Sequence, residues 1–181
     1  MHVPFAQMPP DARLWIFAAE RPLAAEEQQA LLGAVDAFLE GWAAHGVPLA
    51  AARELRYDQF LLVAVDESRT GASGCSIDAM TRVLAELERR LGVELVNHTP
   101  VLYRDGARVV RLDRAAFAER VRRGEAAPDT IVFNNTLSRV GDLPTKWEVA
   151  ARDSWHARAF FGGSSPKTAG DSLQAAGRVR A

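Results

Sequence analysis

The residues best placed to do chemistry lie in one short stretch that contains the only cysteine of the chain. Cys75 stands between a Gly- and Ser-rich loop, which includes Ser73, and a predicted helix that Ser76 would cap. A helix N-terminus offers free N–H groups and a partial positive charge, which favour a thiolate nucleophile. His98 is a candidate catalytic base for that nucleophile, and His45 and His156 are alternatives. This stretch therefore predicts a thiol-dependent enzyme or a redox sensor.

The same stretch has a purely structural interpretation. Ser76 would cap the helix, Asp78 would complement its dipole, and Cys75 would be a small buried hydrophobic residue. Nearby carboxylates such as that of Asp66 disfavour a thiolate. Both interpretations stay open at the level of the sequence.

Polar and aromatic side chains near predicted turns and helix ends are candidate binding residues: Ser73, Ser76, Asp78, Asp66, Trp42, His45, Asn134, Trp155 and His156. Structural roles are available for them as well. Trp42 lies on an apolar helix stripe, with His45 in the predicted last helical turn. Asn134 suits a turn, and Trp155 and His156 suit docking of the C-terminal segment onto the body of the protein.

Composition and charge exclude several classes of function. The chain has 181 residues, with 22 basic and 23 acidic side chains, so nucleic acid is not an expected partner. Its four histidines form no i,i+4 pair, and we expect neither a metal nor a cofactor. Without a signal peptide or a long apolar stretch, we expect a cytoplasmic location and no membrane contact. A protein partner is compatible with all of these properties.

Hydrophobic periodicity predicts an α+β fold with a mixed or antiparallel sheet, two long helices and one short helix. The first part of the chain reads strand, helix, strand, strand, helix, over residues 13–18, 24–45, 52–57, 60–66 and 76–91. A following strand at 101–104 would complete the βαββαβ order of a ferredoxin-like unit.

The second part of the body reads as ββαβ. Asp105 and Gly106 predict a tight hairpin between strands at 101–104 and 108–112. Asp113 is suited to cap a short helix that Gly124 closes, and a strand follows at 130–133. This order, with Val121 to Gly124 and residues 129–133, resembles small GYF-type adaptor modules. The resemblance implies a binding module.

The domain organisation follows from composition. We expect a flexible N-terminus over residues 1–11 and one compact domain over 12–161. Residues 12–97 and 98–161 are candidate subdomains of that domain. Residues 162–181 are small, polar and without periodicity, which predicts a disordered tail.

Several segments together resemble one known family. They are Trp15-Ile16, the stretch from Trp42 to Gly46, residues 60–67, 73–78 and 129–135, Lys146 to Val149, and Asp153 to His156. The family is an uncharacterised bacterial one whose members are often named ABC transporter ATPases. That name implies nucleotide binding, but the Gly-x4-Gly-Lys-Ser/Thr pattern of a phosphate-binding loop is absent from the sequence. The sequence therefore favours a non-catalytic binding or accessory module, then thiol chemistry, and ATP hydrolysis last.

Overall fold

The computed structural model describes residues 2–68 and 70–162. The helices are α1 (Ala25–Gly41), α2 (Gly74–Leu91), α3 (Arg114–Arg122), α4 (Leu143–Lys146) and α5 (His156–Phe160). The strands are β1 (Arg13–Ala18), β2 (Ala43–Ala44), β3 (Val47–Pro48), β4 (Ala50–Arg56), β5 (Phe60–Asp66), β6 (Val101–Asp105), β7 (Arg108–Leu112), β8 (Ile131–Phe133) and β9 (Glu148–Ala150). The predicted α+β class is confirmed.

The first sheet has the strand order β1-β5-β4, and both of its strand pairs are antiparallel. Alternate residues of β1 enter two different clusters, because successive side chains of a strand point to opposite faces. Phe17 packs with the buried stripes of α1 and α2, whereas Leu14 and Ile16 pack towards the second half of the chain. The double-sided apolarity of β1 thus marks a strand covered on both faces.

The second sheet has the order β7-β6-β8-β9 and is also antiparallel. Leu102 and Phe133 face the first sheet, and their neighbours Tyr103 and Val132 face α3 through Phe117. The layers therefore run from the two long helices, through the two sheets, to α3 and α5.

The ferredoxin-like arrangement is wrong. In that arrangement the strand after α2 would join the first sheet, but β6 pairs only with β7 and β8. The two-residue hairpin at Gly106 makes pairing with β7 local, whereas joining the first sheet would require closing a much longer loop. One predicted sheet is consequently two.

The predicted first helix is also too long. It ends at Gly41, and residues 43–48 form a small hairpin of β2 and β3. His45 and Gly46 form its turn, with φ of 52° and 78°. Two successive positive φ values are typical of the tight turns that join antiparallel strands. His45 therefore lies at a hairpin tip and not in the last helical turn.

The N-terminal residues, expected to be flexible, pack against the first sheet. The N–H of Val3 donates to the carbonyl of Ala51 at 2.9 Å, and Met8 is buried with Ala52 and Ala64. Apolar burial and a strand-like hydrogen bond hold this segment. Residues 163–181, which make up nearly all of the predicted disordered tail, lie outside the described residues.

Candidate functional site

The N-terminus of α2 begins earlier than the sequence predicts. Ser73, not Ser76, is the N-cap, because its Oγ accepts from the N–H of Ser76 at 3.3 Å. Ser76 is buried within the first turn, and its own Oγ donates to the carbonyl of Ser73 at 2.8 Å. Cys75 therefore lies inside the first turn and is exposed, so its interpretation as a buried hydrophobic residue is wrong.

A groove of about 720 Å³ runs along this helix end, between α1, the β2–β3 hairpin and α2. We call it the helix-end groove. Its walls bring together five of the residues that the sequence singled out: Trp42, His45, Ser73, Cys75 and Ser76. The indole Nε1 of Trp42 donates to the carbonyl of Ser76 at 3.0 Å and ties the hairpin to α2.

The remaining polar candidates near Cys75 have other roles. The carboxylate of Asp66 accepts from the N–H of Ser68 at 2.9 Å, and this hydrogen bond lowers the pKa of Asp66. Asp78 is exposed on α2 and does not line the groove. His98 borders a different cavity, so the expected pairing of Cys75 with His98 is not formed, and His45 is the histidine that shares the groove of Cys75.

The second cavity, of about 380 Å³, lies along the outer edge of β1, and we call it the strand-edge cavity. One wall is β1 itself. The others come from the loop before β6, from β6 and β8, from the loop after β8 and from Trp155. Its lining residues are Arg13, Leu14, Trp15, Ile16, Ala18, Asn97, His98, Pro100, Leu102, Phe133, Asn135, Thr136, Leu137, Ser138 and Trp155.

The backbone of β1 presents unpaired polar groups to this cavity. The N–H of Ala19 donates to the carbonyl of Gln59, which continues the register of β1 with β5. Bonded residues alternate along an antiparallel strand, so Phe17 is bonded to β5 and the N–H and C=O of Ile16 point away from it. Within residues 2–68 and 70–162 neither group of Ile16 has a hydrogen-bond partner.

Burial makes this unpaired backbone significant, because Ile16 is only 2% exposed. Buried backbone groups are almost always paired, and each one left unpaired costs about 1–3 kcal/mol. Ile16 N–H and C=O therefore form a donor and acceptor pair in need of a partner.

Both ends of the open edge are already occupied. At one end the N–H of Leu14 donates to the carbonyl of Ser138 at 2.9 Å, and at the other the N–H of Glu20 donates to the carbonyl of Glu94 at 3.0 Å. The Ser138 segment is fixed by Gly141, whose N–H donates to Pro10 at 2.7 Å. A Cβ on Gly141 would come within 2.9 Å of the Pro10 carbonyl oxygen, so only glycine fits there.

Trp155 completes the wall, whereas its neighbour His156 does not line the cavity. Trp155 stacks on His156 at 3.8 Å between ring centroids, and the buried Nε1 of Trp155 has no hydrogen-bond partner among the described residues. His156 is fully buried, and burial followed by the charge of Arg114 lowers its pKa to about 4. The Oγ of Ser154 lies 3.2 Å from the carbonyl oxygen of Ala151 and 2.8 Å from Nδ1 of His156, and Nε2 of His156 has no hydrogen-bond partner among the described residues.

The strand-edge cavity is almost free of charge. Among the residues that the structure describes, Arg13 is the only lining residue with a formal charge, and its guanidinium lies 3.4 Å from the carboxylate of Glu67. Desolvation lowers the pKa of His98, which favours the neutral imidazole. Asn134 forms a turn with Thr136 and does not line the cavity, whereas its neighbour Asn135 does.

Sequence reasoning found part of this second site and missed its most informative element. Trp155 and His98 are among the candidates from the sequence, but Leu14, Ile16 and Ala18 are not. Their polar groups belong to the backbone, which every residue type carries, so residue identity holds no signal for them. Only the position of β1 at the edge of the sheet leaves those groups unpaired.

Comparisons with known proteins give no relative for this chain: no family model, no curated protein and no solved structure matches it. Among residues 2–68 and 70–162 no group of three metal-ligating side chains lies close enough to hold an ion. No described helix is both long and apolar enough to span a membrane.

Proposed function

We propose that this chain is a non-catalytic binding module that receives an uncharged ligand in the strand-edge cavity. The observation that carries the proposal is the backbone of Ile16, which has no hydrogen-bond partner among the described residues and is buried in the wall of a cavity of about 380 Å³ that is almost free of charge. Ligand pockets are typically apolar and of this size, with a few well-placed polar groups. The proposal places the module in the cytoplasm, in keeping with its single unpaired cysteine.

A set of small uncharged amides, screened against the full chain by ligand-observed NMR, tests the proposal. Ser138 is exposed at the rim of the cavity, so Ser138→Trp should block it. The matched control is Gln29→Trp, at an exposed position of α1 that does not border the cavity. We expect amides to bind the wild type and the control, and to bind Ser138→Trp about tenfold more weakly or worse. Equal binding to both variants, or no binding to the wild type, would refute the proposal.

Thiol-dependent chemistry is the second candidate, because Cys75 is exposed and shares the helix-end groove with His45. The test is the rate of alkylation by iodoacetamide, measured on the native and the denatured chain and on His45→Gln. A thiol function requires a native rate above the denatured rate that falls in His45→Gln. Equal native and denatured rates would remove this candidate.

Nucleotide hydrolysis, implied by the resemblance to the family of that name, is the third candidate. Its support is the resemblance alone, since the phosphate-binding pattern is absent from the sequence. A rise in the Tm of the chain on addition of Mg-ATP would support nucleotide binding.

A further inference from the structure

We propose that the occupant of the strand-edge cavity is an extended, uncharged segment of another polypeptide, which pairs with β1 as an added strand. This inference rests on the proposed function, because it names the class of ligand that the same cavity takes. Adding a strand to an open sheet edge is a recurring way for proteins to bind peptides.

The polar groups along the edge have the order of a β-strand ladder. The C=O of Leu14, the N–H and C=O of Ile16 and the N–H of Ala18 follow one another on the side away from β5. An extended peptide supplies the complementary donors and acceptors at the same spacing, because its own backbone repeats with the same period. A small ligand would have to reproduce that spacing with separate groups.

The ends of the edge set the length of the added strand. Ser138 occupies the edge at Leu14, and Glu94 occupies it at Glu20. The open stretch from Leu14 to Ala18 spans four residue steps, or about 13 Å at the usual rise of a strand. Arg139 already forms an isolated antiparallel bridge with Arg13. A bound segment would extend this pairing along the same edge of β1.

Charge and side chains set the character of the segment. Arg13, the only charged lining residue in the described part of the chain, already has Glu67 as its partner, so no described side chain of the wall compensates a charge on the ligand. Successive side chains of an added strand would point to the two faces of the first sheet. The cavity offers Trp15 on one of these faces and Leu102 and Phe133 on the other. Apolar residues at successive positions fit both walls.

The experiment selects peptides from a phage-displayed library of random heptapeptides on the full chain, and then measures the affinity of the selected peptides by fluorescence polarisation. Each backbone amide of the best peptide is N-methylated in turn. We expect uncharged sequences, and affinity that falls about tenfold or more only at the amides that face β1, in an alternating pattern. A flat N-methylation profile, or no enriched peptide, would overturn the inference.

A proline pair tests the edge from the protein side. Ala18→Pro removes an N–H that points into the cavity and breaks no bond to β5, which is where an edge strand tolerates proline. Val109→Pro is the matched control, because the two-residue hairpin of β6 and β7 turns the N–H of Val109 away from β6. We expect about tenfold weaker binding by Ala18→Pro and unchanged binding by Val109→Pro. Equal affinities of the selected peptide for the two variants would overturn the inference. If Ala18→Pro does not fold, the N-methylation profile of the peptide alone tests the inference.

Other occupants are distinguished in the same assay. Displacement of the selected peptide by a synthetic peptide of residues 163–181 would assign the edge to this chain's own segment and overturn the inference. If sedimentation shows a dimer of the chain that dissociates when the peptide is added, the edge of β1 would be assigned to a second copy. That result would also overturn the inference. If small amides bind the cavity but no peptide does, the inference fails and the proposed function stands. If neither binds, both fail.

Discussion

The helix-end groove and the strand-edge cavity differ in what makes each of them a candidate site. The groove collects side chains with recognisable chemistry, among them Cys75 and His45, and its buried polar atoms are bonded, as Trp42 shows with Ser76. The cavity collects few reactive side chains, but the backbone of Ile16 in its wall has no hydrogen-bond partner among the described residues, and neither does the buried Nε1 of Trp155. Reactive residue types and unsatisfied hydrogen-bonding capacity thus lie in separate regions, and the second property is the better indicator of a missing ligand.

Acidification should distinguish the two regions most strongly. The folded protein keeps His156 neutral, with a pKa of about 4 against an ordinary 6.5. Between pH 6.5 and 4 the unfolded chain binds the proton and the folded chain does not. The free energy of unfolding should therefore be fully retained above pH 6.5 and fall by about 3 kcal/mol as the pH falls to 4.

Urea unfolding at a series of pH values measures this loss. His156→Leu should remove most of the pH dependence between pH 6.5 and 5, with smaller parts left by His98, whose pKa desolvation also lowers, and, towards pH 4, by carboxylates such as Glu27, whose pKa the hydrogen bond from Arg21 lowers to about 2. His45→Gln, at an exposed position in the other region, should leave the dependence unchanged. An unchanged dependence in His156→Leu would show that the buried imidazole is not its source.

A pair of tryptophan substitutions sharpens the same contrast. Trp42→Phe removes a buried hydrogen bond to Ser76 and should lower the free energy of unfolding by about 1–2 kcal/mol. Trp155→Phe removes a donor that has no partner among the described residues, so it should cost less stability than Trp42→Phe, the loss coming only from ring packing on His156 and Arg114. Denaturant unfolding of both variants under one set of conditions gives the comparison. A Trp155→Phe variant that loses as much stability as Trp42→Phe would argue that its Nε1 is bonded in solution.

Substitution of the N-cap residue tests where α2 begins at the helix-end groove. Ser73→Ala removes the side-chain oxygen that accepts from Ser76, and should cost about 1 kcal/mol of stability. Asp78→Ala serves as the control, because this residue is exposed beyond the first turn and should change stability by less than about 0.5 kcal/mol. Urea unfolding measures both variants, and equal effects would argue against Ser73 as the cap.

The smallest expected effect is that of the thiol. Cys75 is exposed and Cys75→Ser nearly keeps its size, so the free energy of unfolding should change by less than about 0.5 kcal/mol. The same variant, which has no thiol, is the negative control for the alkylation experiment with iodoacetamide. A loss above about 1 kcal/mol would mean that the thiol is buried in solution and would end its candidacy as a reactive group.

Local signals predicted much of the first half of this fold. The bounds of β1 and β5 agree with the prediction, since apolar runs between turn residues define short buried strands. Gly92 ends α2 in the left-handed region with φ of 64°, as a glycine after an apolar stripe predicts. Helix boundaries were less predictable, because Ser73 and Ser76 have the same capping chemistry and His45-Gly46 suits both a helix end and a hairpin turn.

The sequence by itself determined the two long helices, the main strands, the two-sided burial of β1 and the polar groups near Cys75, because these depend on neighbours in the chain. Only the tertiary structure decided that β6 leaves the first sheet, that His45 and not His98 shares a groove with Cys75, and that β1 has an open edge. Each of these depends on pairings between residues far apart in sequence. Backbone hydrogen bonds give the same local signal at every residue, so which of them stay unpaired is fixed only when the strands meet.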